Sequence, residues 1–384
     1  MVYSTNLFTG RMLMIKPLSI IDWLTNFVLT FPILSFFIPR FARVWIIKLV
    51  VCVKVYLIGI ACCLKQLFLW KRLSVPHTAL NDLNHRQPLA VVTGGTSGLG
   101  LALCHLLAPK WRLIIIGRNR KQGHWAIEQI KRRCGQCKVI FYSVDLSSRK
   151  SINEFLEIFI KTFDRLHLLV NNAGVMMAPY QPVGTSGDIE LQWAVNFLAP
   201  VYLSDRLKPC LQRALRQDGF SRVVNVSSAV LYAASLSPEY LACAGGCNGT
   251  PSRYSSHLAY ANSKLALSLY TQLYASNTSN SSDGDRVTVC STHPGVVATG
   301  LYRHTNLFMK WFMSGRIPLL SGRLILTPEQ AANDLLWTCL SPTVESGAFY
   351  ENGARLPLPE VSGQVKMAFW RHLERQDIIS NLKE

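Results

Sequence analysis

The stretch Leu-Ala-Val-Val-Thr-Gly-Gly-Thr-Ser-Gly-Leu-Gly at residues 89–100 decides the fold of this chain. Its first five residues, Leu89–Thr93, predict a short buried strand, and glycines follow at 94, 98 and 100. These glycines let the backbone turn tightly after the strand and let the next helix begin close to it. A helix N-terminus in that position suits the diphosphate of a dinucleotide. A glycine cluster alone often marks only a turn, so the rest of the chain decides its meaning.

Further strand-like runs follow, separated by intervals that are long enough for helices. They cover Leu113–Gly117, Lys138–Val144, Leu166–Asn171, Arg222–Ser227 and Arg286–Thr292. Such alternation predicts a parallel sheet with crossover helices on both faces. We therefore expect an α/β fold, a Rossmann-type doubly wound sheet over residues 81–384, preceded by a helical membrane-anchoring segment over residues 1–80.

Three more motifs come after strand-like runs and complete a pattern. Asn171-Asn172-Ala173-Gly174 closes one run, Val226-Ser227-Ser228 ends another, and Tyr260 and Lys264 lie one helical turn apart. Together with Thr93–Gly100, their order and spacing resemble the short-chain dehydrogenase/reductase family over about residues 88–350. The run Asn-Asn-Ala-Gly-Val-Met-Met at 171–177 and the long interval from Ser228 to Tyr260 resemble its retinol-dehydrogenase-like and X-linked dehydrogenase/reductase branch.

Hydride transfer from an alcohol leaves a proton on oxygen, so the site needs a base. A free tyrosine has a pKa near 10 and is a poor base at neutral pH, but Lys264, on the same helix face as Tyr260, places a positive charge that favours the phenolate. The resemblance implies that Ser228 binds the substrate oxygen and that Asn196 carries the water chain that returns the proton. Because Phe197–Pro200 departs from the family pattern, a buried structural amide remains the alternative for Asn196.

The resemblance also implies the residues that hold a dinucleotide. They are Gly94, Ser97, Gly98, Leu99 and Gly100 in the glycine turn, Asp145 and Leu146 at the adenine, Asn172, Ala173 and Gly174 beneath it, Tyr260 and Lys264 at the nicotinamide ribose, and Pro294, Gly295, Val297 and Thr299 at the nicotinamide. For Asp145 a simple turn cap is the alternative.

The second strand ends at Gly117-Arg118, where an NAD enzyme would place an acid for the ribose hydroxyls. Arg118 instead offers a guanidinium for a 2′-phosphate, which favours NADP(H) over NAD(H), with an unpaired surface arginine as the alternative. No metal is expected, because the pairs Cys134/Cys137 and Cys243/Cys247 have no histidine nearby at ligand spacing.

The N-terminal region carries charge and long apolar runs. Of the net charge of +18, residues 1–80 contribute +8, from nine Lys/Arg against one acid. The apolar run Trp23–Pro39 is uncharged, whereas Lys48, Lys54 and Lys65 interrupt the run Val44–Trp70. Basic residues interleaved with long apolar runs favour a membrane over nucleic acid. Two arrangements fit, a helical hairpin turning near Pro39-Arg40 or one span plus an interfacial helix, and packing inside a soluble core is a third. Lys54 is hard to place in lipid.

The segment Leu301–Leu326 mixes aromatic and basic residues where the family builds its substrate lid. With the anchor, it predicts a lipophilic alcohol or carbonyl that enters from the bilayer, and the branch acts on retinoids, steroids and polyprenols. A homodimer rests on the resemblance alone. The eleven cysteines and the NADP preference favour a cytosolic catalytic domain at the endoplasmic reticulum, or at lipid droplets. A catalytically silent NADP-binding scaffold is the alternative, against which the complete set of Ser228, Tyr260 and Lys264 argues.

Overall fold

The computed structural model describes residues 40–71, 73–74, 87–184, 189–243, 254–277, 286–305 and 324–378. Its strands are β1 Leu89–Thr93, β2 Arg112–Gly117, β3 Val139–Ser143, β4 Leu168–Asn171, β5 Pro182–Val183, β6 Ile189–Glu190, β7 Arg222–Val226, β8 Thr288–His293, β9 Phe349–Glu351 and β10 Ala354–Leu356. Eight of them form one sheet in the order β3-β2-β1-β4-β7-β8-β9-β10. Only β10 is antiparallel to its neighbour, and β5 and β6 form a separate antiparallel pair. The predicted doubly wound α/β sheet is confirmed.

The helices are α1 Arg40–Leu69, α2 Gly98–Leu107, α3 Arg120–Cys134, α4 Arg149–Thr162, α5 Leu191–Trp193, α6 Ala199–Arg206, α7 Lys208–Asp218, α8 Pro238–Ala242, α9 Ser256–Asn277, α10 Pro328–Leu340 and α11 Gly363–Arg375. A π-helical turn, Ala194–Leu198, joins α5 to α6, and short 3₁₀ helices cover Ala229–Ala233 and Gly300–His304.

The sheet is buried on both faces, which explains why its strands are continuous apolar runs in the sequence. Every residue of β1, β4 and β7 is buried. Val91 and Leu169 point into one core cluster with α4, while Val92 and Val170 point into the other with α2 and α10. The motifs at the carboxyl ends of these strands are thereby held on a rigid edge.

Helix α1 packs on this domain along one side. Val51, Val55, Ile58 and Cys62 are buried against small residues of the 3₁₀ turn and of α9, namely Ala229, Ala233 and Ala261. Among the described residues, the segment Ala42–Leu69 is the one helix long and apolar enough to cross a membrane by length and composition. The other predicted apolar run, Trp23–Pro39, lies outside the described residues.

The end of α1 is fastened to the sheet by polar contacts. The Gln66 side chain donates to the Val296 carbonyl (3.2 Å) and accepts from the Val296 N–H (3.0 Å). Lys65 forms an ion pair with the buried carboxylate of Glu351. The Asn352 side chain accepts from the Lys71 N–H and donates to the Lys71 carbonyl, both at 2.8 Å.

Candidate active site

One cavity of about 920 Å³ lies at the carboxyl ends of the central strands. All of the predicted site residues line it except Gly98 and Asn196. Its size is near the upper end of ligand pockets, roughly 300–1,000 Å³, so it has room for a dinucleotide and part of a substrate. Of the predicted lid, residues 306–323 lie outside the described part of the chain.

The glycine turn is built so tightly that side chains would not fit. Gly94 has φ +67°, and a Cβ there would lie 2.9 Å from Ala173 Cα. A Cβ at Gly100 would lie 2.4 Å from the Gly94 carbonyl oxygen. Ser97 precedes α2, and its side chain forms no capping hydrogen bond, so the first N–H groups of the helix stay available. This cradle fits the diphosphate of a dinucleotide.

Thr93 joins the glycine turn to the Asn172-Ala173 segment. Its hydroxyl accepts from the N–H groups of Asn172 and Ala173, both at 3.0 Å, and its carbonyl accepts from Asn172 Nδ2 at 2.9 Å. The sequence predicted Asn172 and Ala173 but gave no signal for this role of Thr93, because the contact spans 79 residues of chain.

Tyr260, Lys264 and Ser228 come together in the cavity wall. Burial raises the pKa of Tyr260 to about 12, and a hydrogen bond with Ser228 opposes this rise. Burial lowers the pKa of Lys264 to about 8, and its Nζ donates to the Val226 carbonyl at 2.7 Å. The ammonium lies 5.8 Å from the centre of the Tyr260 ring. A phenol, a hydroxyl and a positive charge therefore share one site with the means to transfer a proton.

Asn196 lies just behind this group, in the π-helical turn. Its Oδ1 accepts from the Val175 N–H and its Nδ2 donates to the Val175 carbonyl, both at 2.8 Å, and Nδ2 also donates to Ser263 Oγ at 3.0 Å. The amide thus holds the Gly174-Val175 backbone. A Cβ added at Gly174 would lie 3.4 Å from Asn196 Oδ1 and 3.7 Å from Lys264 Nζ, so the two side chains approach each other across this glycine. The proton-relay role of Asn196 stays a prediction.

The end of the cavity next to β2 carries two arginines. Arg118 follows β2, is exposed, and forms no ion pair with any described residue. Arg303, which the sequence did not single out, lines the same cavity. Its pKa is lowered by burial and by the nearby positive charge of Arg118. No acidic side chain follows β2, so this end is suited to an anionic group.

The Asp145 carboxylate caps a local turn, as the alternative interpretation of this residue predicts. It accepts from the Ser147 N–H (2.9 Å) and from the Ser147 hydroxyl (2.8 Å), which makes a local turn. Asp145 and the buried Leu146 nevertheless line the cavity. The turn therefore positions both residues in the wall of the cavity.

The segment after β8 forms another part of the cavity wall. Gly295 has φ +86°, and a Cβ there would lie 2.9 Å from the Trp70 ring. Val297 pairs with Leu326, and the Thr299 hydroxyl accepts from the Leu301 N–H at 3.4 Å. Because Gln66 binds Val296 in the middle of this segment, α1 helps to fix it.

Helix α1 is also a wall of the cavity, which the sequence did not predict. The residues that line it are Val55, Tyr56, Ile58, Gly59, Ile60, Cys62, Cys63 and Leu64. Together with Met176, Met177 and Val230 they make this part of the cavity wall predominantly apolar.

One group of metal-ligand side chains adjoins this wall. Ligand atoms of Cys62, His293 and Glu351 lie within 4.8 Å of one another. The Lys65 ammonium is bound to the same carboxylate, so the negative charge that a divalent cation would need is already neutralised. We therefore interpret the group as part of the clamp between α1 and the sheet.

Comparison with known proteins agrees with this geometry. The family model described as short chain dehydrogenase matches residues 88–309. The chain belongs to the short-chain dehydrogenase family. It is 34% identical over 258 residues to polyprenol dehydrogenase of Homo sapiens, covering 67% of this chain and 74% of that protein. It is 33% identical over 258 residues to human retinol dehydrogenase 11, with the same coverage of 67% and 74%.

These relatives place the chain in the retinol-dehydrogenase-like branch of the family. NADPH-bound carbonyl reductase from chicken fatty liver shares the fold, with a TM-score of 0.50, 21% identity, and coverage of 71% of this chain and 100% of that one. Family and fold make this chain an oxidoreductase that uses NAD(P)(H) and a small-molecule substrate.

Proposed function

We propose that this protein is a membrane-anchored, NADP(H)-dependent oxidoreductase of lipophilic alcohols or carbonyls. The observation that carries the proposal is the placement of Ser228, Tyr260 and Lys264 in a cavity whose facing wall is the apolar helix α1. Such a cavity suits a long hydrocarbon better than a sugar, since buried hydroxyls would need polar partners there. The names of the polyprenol and retinol dehydrogenases among its relatives agree with this substrate class.

The proposed proton chemistry follows from the charges in the site. The dinucleotide, when bound, accepts or supplies the hydride. Tyr260 then donates a proton to the carbonyl oxygen during reduction, or takes it during oxidation, while Ser228 holds that oxygen. Lys264, with a pKa near 8, is mostly charged at neutral pH and favours the phenolate. Asn196 positions the Gly174-Val175 backbone beside Lys264 and is proposed to complete the path of the proton to solvent.

The proposed preference for NADP(H) rests on Arg118 and Arg303. A 2′-phosphate would form charge-assisted hydrogen bonds with guanidinium groups at the end of β2, whereas the ribose hydroxyls of NAD(H) would find no carboxylate there.

The proposed membrane attachment rests on the outer face of α1. Among the described residues, ten of the sixteen exposed large apolar side chains belong to this helix, including Trp45 (69% exposed) and Phe68 (75% exposed). So large an apolar surface on one helix is typical of a membrane contact. Lys54, hard to place in lipid, is buried on the domain side instead. A helix packed along the domain favours the interfacial arrangement over a span for this segment, with the domain in the cytosol at the endoplasmic reticulum or at lipid droplets.

Turnover by the full-length protein in detergent micelles tests the proposal. NADPH oxidation would be followed at 340 nm with retinal, a polyprenal and a steroid ketone, and the reverse reaction with the matching alcohols. We expect turnover of at least one lipophilic pair, and a loss of roughly 10²–10⁴-fold in Tyr260→Phe with NADPH binding retained.

Tyr274→Phe is the matched control, because Tyr274 lies on the same helix α9 outside the cavity. We expect it to keep the wild-type rate. A wild-type protein that binds NADPH but converts no substrate faster than Tyr260→Phe would support the silent scaffold instead.

A further inference from the structure

Helix α1 presents three different faces along its length. One face, with Val51, Val55, Ile58, Cys62 and Gln66, is buried against the domain. A second face, with Tyr56, Gly59, Ile60 and Cys63, lines the cavity. The third face is exposed and apolar, and it consists of Leu49, Val53, Leu57, Ile60, Leu64 and Phe68. Each set recurs at intervals of three and four residues, as one side of a helix does.

Gly59 leaves open space in the cavity-lining face. A Cβ built there meets no atom of the described residues within 4 Å. Glycines inside apolar helices commonly permit close helix packing, but no described residue approaches here, so packing within the described part of the chain does not explain this glycine. A glycine in a helix interior destabilises the helix relative to alanine. Its effect in this position is to widen the cavity.

Ile60 and Leu64 stand where the cavity reaches the exposed face. Both line the cavity, and they are 58% and 49% exposed. They therefore form part of the rim of its opening, on the same side as the apolar stripe. A membrane in contact with that stripe would have its hydrocarbon next to the rim.

We infer that α1 determines which substrates enter, with Gly59 leaving the room for the hydrocarbon chain and Ile60 and Leu64 forming a mouth that opens to membrane lipid. This deepens the proposed function and rests on it. The side chain at position 59 then sets the width of the chain that the cavity accepts, and substrates with the same reacting group but different chain lengths are distinguished there.

The test compares Gly59→Ala and Gly59→Leu with Val53→Leu, which changes the same helix on its outer face. Geranylgeraniol and prenol carry the same allylic alcohol on four isoprene units and on one, and both would be assayed with NADP⁺ in detergent micelles. We expect Gly59→Leu to lower the ratio of kcat/KM for the long alcohol to that for the short one by at least about tenfold. Gly59→Ala should lower it less, and Val53→Leu should leave it unchanged.

A measurement of retinol binding tests the width of the same cavity without requiring turnover. The intrinsic fluorescence of retinol would be titrated with each variant, and thermal unfolding followed by circular dichroism would establish that each is folded. We expect Kd for retinol to rise about tenfold in Gly59→Leu and to stay at the wild-type value in Val53→Leu.

The outcomes separate the inference from the proposed function. A ratio and a Kd that change less than about twofold in a folded Gly59→Leu would overturn the inference while leaving the reaction intact. A wild-type protein that oxidises neither alcohol and converts none of the retinal, polyprenal and steroid pairs would overturn the proposed function, and the retinol titration would still decide whether α1 bounds the cavity.

Discussion

At the scale of single residues, burial has opposite effects on the two ionisable groups of the site. It raises the pKa of Tyr260 to about 12 and lowers that of Lys264 to about 8, because both groups lose hydration of their charged forms. Near neutral pH the tyrosine is therefore protonated and the lysine mostly charged. A protonated Tyr260 can donate at once during carbonyl reduction, whereas alcohol oxidation requires it to lose its proton first.

This difference predicts a pH dependence. Oxidation should speed up as pH rises from about 6, because the phenolate fraction grows, and should level off above about pH 8, where Lys264 loses the charge that favours the phenolate. Reduction should stay nearly constant over the same range. The measurement is kcat/KM in both directions. In Lys264→Arg, whose charge persists, oxidation should keep rising above pH 8, and an unchanged bend would show that another group titrates there.

The two arginines at the end of the cavity next to β2 give a second prediction at this scale. Arg118→Ala should weaken NADPH binding by about 1.5–3 kcal/mol and NADH binding much less, because only NADPH loses a charge-assisted pair. Arg120→Ala is the control, since Arg120 is exposed at the start of α3 and does not line the cavity. Isothermal titration with both cofactors measures the effect. Equal losses for the two cofactors in Arg118→Ala would place the 2′-phosphate elsewhere, with Arg303 next to be tested.

At the scale of secondary structure, the contact between α1 and the segment after β8 links the α1 wall of the cavity to the segment that is predicted to hold the nicotinamide. Gln66→Leu removes both hydrogen bonds to Val296 and leaves the half-buried Val296 N–H without its partner, at a cost of about 1–3 kcal/mol, while the Val296 carbonyl still accepts from the Leu326 N–H. We expect a lower thermal midpoint and a KM for NADP(H) raised several-fold. Gln272→Leu, on the exposed side of α9, should change neither. A lower midpoint with normal KM would mean that the contact only stabilises the helix.

The sheet could be predicted from the sequence because its parallel strands are buried on both faces and therefore appear as apolar runs. The predicted site residues other than Gly98 and Asn196 line the cavity, and most of them could be found because they follow those runs directly. Arg303 could not, since it meets Arg118 only through the tertiary fold. The role of α1 was also missed, because average hydropathy does not show which side of a helix is covered. The sequence did carry a signal for the covered side of α1 in the positions of Lys48, Lys54 and Lys65, since none of these lysines falls on the exposed apolar stripe.

At the scale of the whole molecule, the N-terminal helix and the catalytic domain share one cavity. The predicted division into an anchoring segment over residues 1–80 and a catalytic domain over residues 81–384 implies that a chain starting near Asn81 would lose its membrane attachment and keep the sheet. The structure changes that expectation, because such a chain would also lose the facing wall of the cavity, the Gln66 contact and the cover over Ala229, Ala233 and Ala261. Truncation should therefore impair both membrane attachment and catalysis. Only substitutions confined to the outer face of α1 should impair membrane attachment without impairing catalysis.

We expect the truncated chain to oxidise even prenol at least about tenfold more slowly than the full chain, since an incompletely formed site loses the orientation of its groups. The full chain with Leu49, Leu57 and Phe68 all changed to Ser is the matched variant, because these residues are exposed and do not line the cavity. It should keep the rate with prenol in detergent but no longer float with anionic lipid vesicles, as three large apolar side chains leave the interface. A truncated chain with the full rate on prenol would show that α1 is only an anchor, and a triple variant that still floats would place the membrane contact elsewhere in the chain.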